Sequence, residues 1–263
     1  MRRTVVVLIA WVSCACLLEA APPADKNAQT QMLSSEQVRA ILDQAVSGDG
    51  FDPGTPFKDV LAFFTKQYHL KFIVDQGAFR KAYQIERAED LPVSTSKYVN
   101  IRLSTVLDYL TEPFDATWVQ CGTEIWIVPK SLVGQRLKGQ TINIDFANTA
   151  LDQVLRELSS RTGSSIVLDR RRCAEQAEEK ITAAFKNVSL GSALKIVANM
   201  VELQAVLIGK VFYVTTPENA ARLRKEEAER LEREAPSAEF KLGDLPTPPV
   251  LRPLKRFEKE YKD

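Results

Sequence analysis

Few side chains in this sequence have the type and spacing needed for catalysis. His69 is the only histidine, and Asp75 and Asp169 follow two similar apolar stretches, which suggests a pair of carboxylates for acid–base chemistry. Each aspartate, however, falls in its own copy of a repeated pattern, and Asp is common where a strand enters a loop. His69 stands at a predicted helix end, where an exposed polar side chain is usual. We therefore predict no catalytic residue among them.

The sequence also lacks the ligand sets of common cofactors. Of the four cysteines, Cys14 and Cys16 fall in an apolar N-terminal run with the pattern of a signal peptide, and one histidine with the separated Cys121 and Cys173 cannot make a usual zinc site. No Gly-rich phosphate loop follows a strand, and no Gly-x-Ser-x-Gly elbow is present. We predict a protein without cofactor, metal or enzymatic activity, the alternative being an enzyme whose site consists of unremarkable residues.

Cys121 and Cys173 lie in different copies of the repeat. In an exported protein such a pair can form a disulfide. Nothing in the sequence brings the two within bonding range, however, so two separate thiols are the favoured interpretation.

The charge balance argues against nucleic-acid binding. The chain has 35 Lys plus Arg and 34 Asp plus Glu, so it has no basic excess to neutralise phosphates. A KH-like clamp, the alternative, needs a Gly-x-x-Gly turn, which this sequence does not contain. We predict no nucleic-acid partner.

Residues 1–20 have the pattern of a signal peptide. Arg2 and Arg3 precede an apolar run from Thr4 to Leu18, which is short for a membrane span, and small residues follow. We predict cleavage after Ala20 and a periplasmic or exported protein. An uncleaved membrane anchor is one alternative.

A lipoprotein is the other alternative for the N-terminus, with the lipid on Cys14 or Cys16. The usual bacterial motif has Leu three residues before that cysteine, whereas Trp11 and Ser13 stand there in this chain. The membrane is then reached only through such an N-terminus or through a partner.

Two stretches, 55–75 and 149–169, show the same helix-to-strand pattern. Each helix has apolar residues at i, i+3, i+4 and i+7, one face of an amphipathic helix. These residues are Phe57, Val60, Leu61 and Phe64 in the first copy and Leu151, Val154, Leu155 and Leu158 in the second. Thr55, with Pro56 after it, and Thr149 are the predicted N-caps, and Gly163 is the predicted helix end.

The similarity resumes at 100–110 and 187–197 with a second pair of amphipathic helices. Ser189 is a good N-cap for the later one, and Arg102 is a poorer cap at the matching position. A hairpin with a central glycine closes each copy. Trp118 and Trp126 lie on the first hairpin and Phe212 and Tyr213 on the second. One interpretation is that these aromatic side chains pack in the core. The other is that one residue of each pair faces outward and binds a partner.

The second copy opens with a strand, 141–147, that alternates apolar and polar residues. The equivalent strand of the first copy is doubtful, and a helix over 34–46 is predicted to cover that edge instead. The elements predict an α+β fold of two tandem small βαββαββ sandwich domains, a charged helix and a Pro-rich tail. We expect the second copy to fold alone as residues 140–217.

The predicted boundaries follow from these patterns. They are 1–20 for the signal peptide, 34–130 and 141–217 for the two domains, 131–140 for a linker, 218–235 for the charged helix and 236–263 for a disordered tail. The helix is predicted to be solvated, with i, i+4 ion pairs such as Arg222–Glu226. The tail is an inert spacer or docks on a partner through Arg252, Arg256 and Phe257.

These motifs resemble the secretin and TonB short N-terminal domain. The resemblance rests on an amphipathic helix, Thr-Gly, an apolar strand ending in Asp169, then Asn-Val-Ser-Leu and Val-Phe-Tyr-Val. It is good across 141–215 and weaker across 55–128.

In that family such domains are periplasmic and non-enzymatic. They stack beneath secretin channels, or pass a signal from a TonB-dependent transducer to an inner-membrane regulator. The resemblance implies a free-standing pair of such modules, without the secretin channel or the receptor barrel. We expect it to act as an interaction or scaffold protein of the bacterial cell envelope. Its partners are then envelope proteins, such as secretion or transport machinery, or a second copy of itself.

Overall fold

The structure is a computed structural model, and it describes residues 33–234. Within them the chain is mixed α+β, as predicted, with small sheets and helices alternating along the sequence. The predicted signal peptide and the predicted Pro-rich tail, including Arg252, Arg256 and Phe257, lie outside the described residues. We call residues 33–129 the first half and residues 141–216 the second half.

The two halves share the order strand, helix, strand, strand, helix, strand, strand, and the first half has two additional helices and a split in two of its strands. The first half contains α1 (Ser35–Leu42), β1 (Ala45–Gly48), β2 (Phe51–Pro56), α2 (Phe57–Tyr68), β3 (Lys71–Val74), α3 (Gln76–Tyr83), β4 (Pro92–Thr95), β5 (Tyr98–Arg102), α4 (Leu103–Thr111), β6 (Ala116–Cys121) and β7 (Glu124–Pro129). After α5 (Val133–Lys138), the second half contains β8 (Thr141–Ala150), α6 (Leu151–Thr162), β9 (Ser165–Leu168), β10 (Lys180–Ser189), α7 (Leu190–Met200), β11 (Gln204–Ile208) and β12 (Val211–Thr215). The last described helix is α8 (Pro217–Glu234).

Strand pairing is also repeated. Each half has a three-stranded sheet in which the closing hairpin is antiparallel and its second strand pairs in parallel with the strand after the first helix, in the orders β3-β7-β6 and β11-β12-β9. A separate antiparallel ribbon joins β8 to β10 in the second half. In the first half the same ribbon is split, with β1 on β5 and β2 on β4.

The backbone conformation repeats residue by residue. Five left-handed positions recur in pairs, namely Gly54 and Asn148, His69 and Gly163, Asn100 and Asn187, Asp115 and Glu202, and Gly122 and Gly209. A left-handed backbone is costly for residues with a Cβ atom, so its recurrence at matching places indicates the same chain path. The exposed His69 thus ends α2 where Gly163 ends α6, as predicted.

The predicted helix faces form the core. All eight apolar residues of the two amphipathic repeats in α2 and α6 are buried. Burying one such side chain contributes about 1.5–3 kcal/mol, so these faces hold each helix on its sheet. The i, i+3, i+4, i+7 prediction is confirmed.

The predicted linker 131–140 is not an open connection. Most of it forms α5, whose Val133 and Leu137 are buried in the core of the second half. Val119 and Val128, from the first half's sheet, belong to that same core. All described residues belong to one compact unit, so two separate domains are not established. Residues 140–217 alone would lack these four apolar side chains, and we no longer expect them to fold independently.

The predicted caps Thr55 and Thr149 were wrong. Both residues lie in strands, β2 and β8, which run directly into the helices, and neither helix has a side-chain cap. Instead the first helical N–H groups, of Phe57 and Leu151, each donate a hydrogen bond of 2.9 Å to a backbone carbonyl of a neighbouring segment. Backbone acceptors therefore replace the cap. The prediction for Ser189 is confirmed, since its hydroxyl accepts from the Ser192 N–H.

The opening strand of the first half does form. It is interrupted at Asp49 and Gly50, where Gly50 has a φ of 88° and a Cβ atom would meet the Thr95 carbonyl oxygen at 2.1 Å. The helix predicted over 34–46 ends at Leu42 and does not replace this strand. It packs instead against α4 and α6.

The charged helix is α8, and it is solvated over most of its length. It packs on β11 and β12, with Ala220 fully buried. The predicted Arg222–Glu226 ion pair is present at 2.5 Å, and Arg230 pairs with Glu227 at 2.7 Å. Leu231, near the described end, is 55% exposed.

Candidate interaction grooves

The two halves meet in a groove of the first half, between α4, β6 and α5, which we call the junction groove. Ser104, Asp108, Trp118, Gln120 and Leu137 line it from the first half and from α5. Gly163–Ser165 and Lys210 of the second half line the same space, whose remaining volume is about 460 Å³. The second half therefore occupies part of this groove.

A lysine from the second half makes the central contact of the junction groove. Lys210 Nζ donates to the Trp118 carbonyl oxygen at 3.0 Å and lies 4.8 Å from the centre of the Trp118 ring. The indole Nε1 of Trp118 in turn donates to Asp108 Oδ1 at 2.8 Å. Burial lowers the pKa of Lys210, and the carboxylate of Asp108 opposes that shift. The groove thus pairs a basic group of its occupant with an acidic wall.

Helix α1 forms hydrogen bonds to both halves at the same junction. The Ser35 hydroxyl donates to the Ser160 carbonyl oxygen, and Arg39 donates to the Gly163 carbonyl oxygen at 2.9 Å. Gln120 of the first half donates to the Ser35 carbonyl oxygen at 2.6 Å. Gly163 has no space for a side chain there, since a Cβ atom would come within 2.6 Å of the Gln120 side chain. Helix α1 therefore bridges both halves.

The two hairpin tryptophans make contacts within the chain. Trp126 lies under the Arg136 guanidinium, whose central carbon is 3.1 Å from the ring centre, and its Nε1 donates to Glu124 at 3.0 Å. Both Trp118 and Trp126 are half-buried. In the second hairpin Phe212 is buried in the core and Tyr213 is half-buried. A partner-binding role for these residues remains a prediction.

The second half has the same groove, lined by α7, β11 and α8, and we call it the open groove. Four of its lining residues match four of the junction groove in the repeat alignment. They are Gly191 for Ser104, Lys195 for Asp108, Ala205 for Trp118 and Leu207 for Gln120. Its volume is about 880 Å³, and no segment among residues 33–234 takes the place that Gly163–Ser165 and Lys210 have in the first half.

The open groove has a basic rim around an apolar floor. Lys138, Lys195 and Arg224 line it and are exposed. Within residues 33–234 none of the three forms an ion pair with a carboxylate. Glu227 also lines the groove, but it is held by Arg230 and by the Gly209 N–H at 3.0 Å, and the Arg230 hydrogen bond lowers its pKa. The local field therefore favours an acidic occupant.

The aspartates considered for catalysis have structural partners. Asp75 caps α3 by accepting from the Ala78 N–H at 3.0 Å. Asp169 is buried and accepts from the Thr215 hydroxyl at 2.9 Å and from Arg172 at 3.2 Å. Burial alone would raise the pKa of Asp169, but these hydrogen bonds lower it overall. Each carboxylate therefore has a structural role, Asp75 at the start of α3 and Asp169 between the end of β9 and β12.

Both cysteines of the described chain are free thiols, which confirms the interpretation as separate residues. Cys173 is fully buried, whereas Cys121 is half-buried. Burial raises the pKa of the Cys121 thiol to about 11, although Arg136 opposes the shift. Cys121 is thus a poor nucleophile at neutral pH.

The reactivity of Cys121 gives a testable pH dependence. The thiolate is the reactive form, so labelling by iodoacetamide should accelerate about tenfold per pH unit between roughly pH 7 and 10. Mass spectrometry measures the labelling rate of the native chain and of its Cys121→Ser variant. The difference between these two rates is the labelling rate of Cys121. A plateau near pH 8.5, the value of an ordinary thiol, would show that the side chain is not shielded as described.

Residues 33–234 contain no group of three His, Cys, Asp or Glu side chains placed to hold a metal, and no helix in that range is long and apolar enough to cross a membrane.

No family model and no curated protein matches the chain. One solved structure, described as a "putative anti-sigma factor" from Parabacteroides distasonis ATCC 8503, is similar at 19% identity and a TM-score of 0.26. The match spans 36% of this chain and 42% of that one and supports no statement about function.

Proposed function

We propose that this chain is a non-enzymatic protein-interaction or scaffold module of the bacterial cell envelope. The observation that carries the proposal is the open groove. Its counterpart in the first half already receives a protein segment, and the open groove keeps that architecture with an unfilled volume of about 880 Å³. An edge strand beside an apolar, charged-rimmed groove is a common way to recognise a partner segment.

The envelope part of the proposal rests on the sequence. Arg2, Arg3 and the apolar run that follows have the pattern of an export signal, and the repeated motif resembles periplasmic modules. The predicted cleavage after Ala20 would release the mature chain into the periplasm. An N-terminus that is retained or lipidated would instead tether the same module to a membrane.

Photo-crosslinking in intact cells tests this function. A photoreactive residue in place of Leu231 in the open groove should give a defined adduct with another envelope protein. The matched control replaces Tyr109, which is 60% exposed on α4 and lies outside the open groove, and should give none. Mass spectrometry of the native chain should find a mature N-terminus near Ala21. A chain that retains Met1 in the cytosol, or a groove position that forms no adduct, would contradict the proposal.

A further inference from the structure

The two grooves differ in the side chains that line the wall next to the occupant. In the junction groove Lys210 of the second half lies on Trp118, and the indole nitrogen of Trp118 donates to Asp108. In the open groove Lys195 replaces Asp108, and Ala205 replaces Trp118. The charge of the wall is therefore reversed, and a large ring is replaced by a methyl group. The two grooves are therefore built from the same kinds of elements, but the charge on the groove wall is negative in the first and positive in the second.

We propose that the open groove binds an acidic, extended segment of another protein. A carboxylate of that segment takes the place corresponding to Lys210 and contacts Lys195, with Arg224 and Lys138 on the surrounding rim. Apolar side chains beside it fill the space above Ala205 and pack on Leu207 and Leu231. This inference rests on the proposed interaction function and names its partner chemistry.

The edge strand β11 supports an extended partner. It is the outer strand of the sheet ordered β11-β12-β9, and its residues Gln204 to Leu207 line the open groove. An extended segment can add to such an edge through backbone hydrogen bonds.

Charge also distinguishes this partner from a second copy of the chain. If the first half of another copy entered the open groove as the second half enters the junction groove, His69, Leu70 and Lys71 would replace Gly163–Ser165. Thr123 would then replace Lys210. A cation and a neutral hydroxyl would thus face the basic rim, which is poor complementarity. A separate acidic protein segment fits better.

Selection from a display library of short random peptides tests the proposal on the full-length mature chain. The native protein should select peptides with an acidic residue next to small apolar ones, with binding that weakens as salt rises. The Lys195→Asp variant restores the charge found in the junction groove. It should bind the selected acidic peptides about tenfold more weakly and should itself select basic peptides. Lys66→Asp, an exposed reversal on α2, is the matched control and should change neither result.

Each variant should keep the circular dichroism spectrum and the melting temperature of the native chain. A variant that no longer binds the peptides is then still folded. Selected peptides without acidic residues, the absence of any selected peptide, or an unchanged preference in Lys195→Asp would overturn the acidic-segment proposal. The crosslink at Leu231 is independent of peptide charge, so the interaction function could stand while this inference fails. A concentration-dependent dimer in sedimentation that Lys195→Asp dissociates would assign the groove to a second copy and overturn the inference as well.

Discussion

Replacing Leu155 with alanine should lower the free energy of unfolding of this protein by about 2–5 kcal/mol. Leu155 lies on the inner face of α6, is 3% exposed, and belongs to the core shared by α6, α7 and the second sheet. Removing its side chain loses the transfer free energy of the buried atoms and leaves a cavity that a well-packed core cannot close. Urea unfolding of the full chain, followed by circular dichroism, measures the change.

A matched control comes from an exposed apolar residue in the same half. Ile196 on α7 is 46% exposed, and truncating it to alanine should change the free energy of unfolding by about 0.5 kcal/mol or less. The contrast between the two variants separates burial from simple loss of apolar atoms. A cost below about 0.5 kcal/mol for Leu155→Ala would mean that the inner face of α6 is assigned wrongly.

The sequence predicted the helices and closing hairpins well because their signals are local. Phe57, Val60, Leu61 and Phe64 recur at helical spacing, and every one of them is buried. Glycines 122 and 209 both have positive φ in hairpin turns, as expected where the chain reverses direction tightly. Periodicity and turn chemistry need no knowledge of distant contacts, so these elements could be predicted from one sequence.

The misassigned features depend on contacts between segments far apart in the chain. Thr55 and Thr149 have the side chains of helix caps, but strand pairing places them in ribbons and supplies backbone acceptors instead. The stretch around Leu137 was predicted to be a linker because only two of its apolar side chains enter the core, and that core is completed by other elements. Tertiary packing overrode the local signal in both cases.

The open groove was missed although part of its signal is present in the repeat. Aligning the two copies sets Lys195 against Asp108, a reversal of charge at matching positions. The alignment cannot show that these positions line a groove, or that the first groove is partly filled by the second half. That information comes from the folded arrangement of α4, β6 and α5 around Lys210.

The second large effect is expected at the connection between the halves. Replacing Leu137 with alanine should lower the free energy of unfolding by about 2–5 kcal/mol, because this side chain is 3% exposed and belongs to the second half's core. Helix α5 packs closely there, since a Cβ atom at Gly134 would lie 3.2 Å from Leu207. Gln135→Ala, at an exposed position on the same helix, is the control and should be nearly neutral.

The form of the transition in Leu137→Ala distinguishes a shared core from two independent domains. Fluorescence of Trp118 and Trp126 reports on the junction, whereas circular dichroism reports on both halves. If Val119, Val128 and Leu137 join the halves into one cooperative unit, the two signals should shift together to lower urea concentration. Two separated transitions, or a neutral effect of Leu137→Ala, would restore the linker interpretation. In that case the junction groove would be a weak contact between separately folding domains.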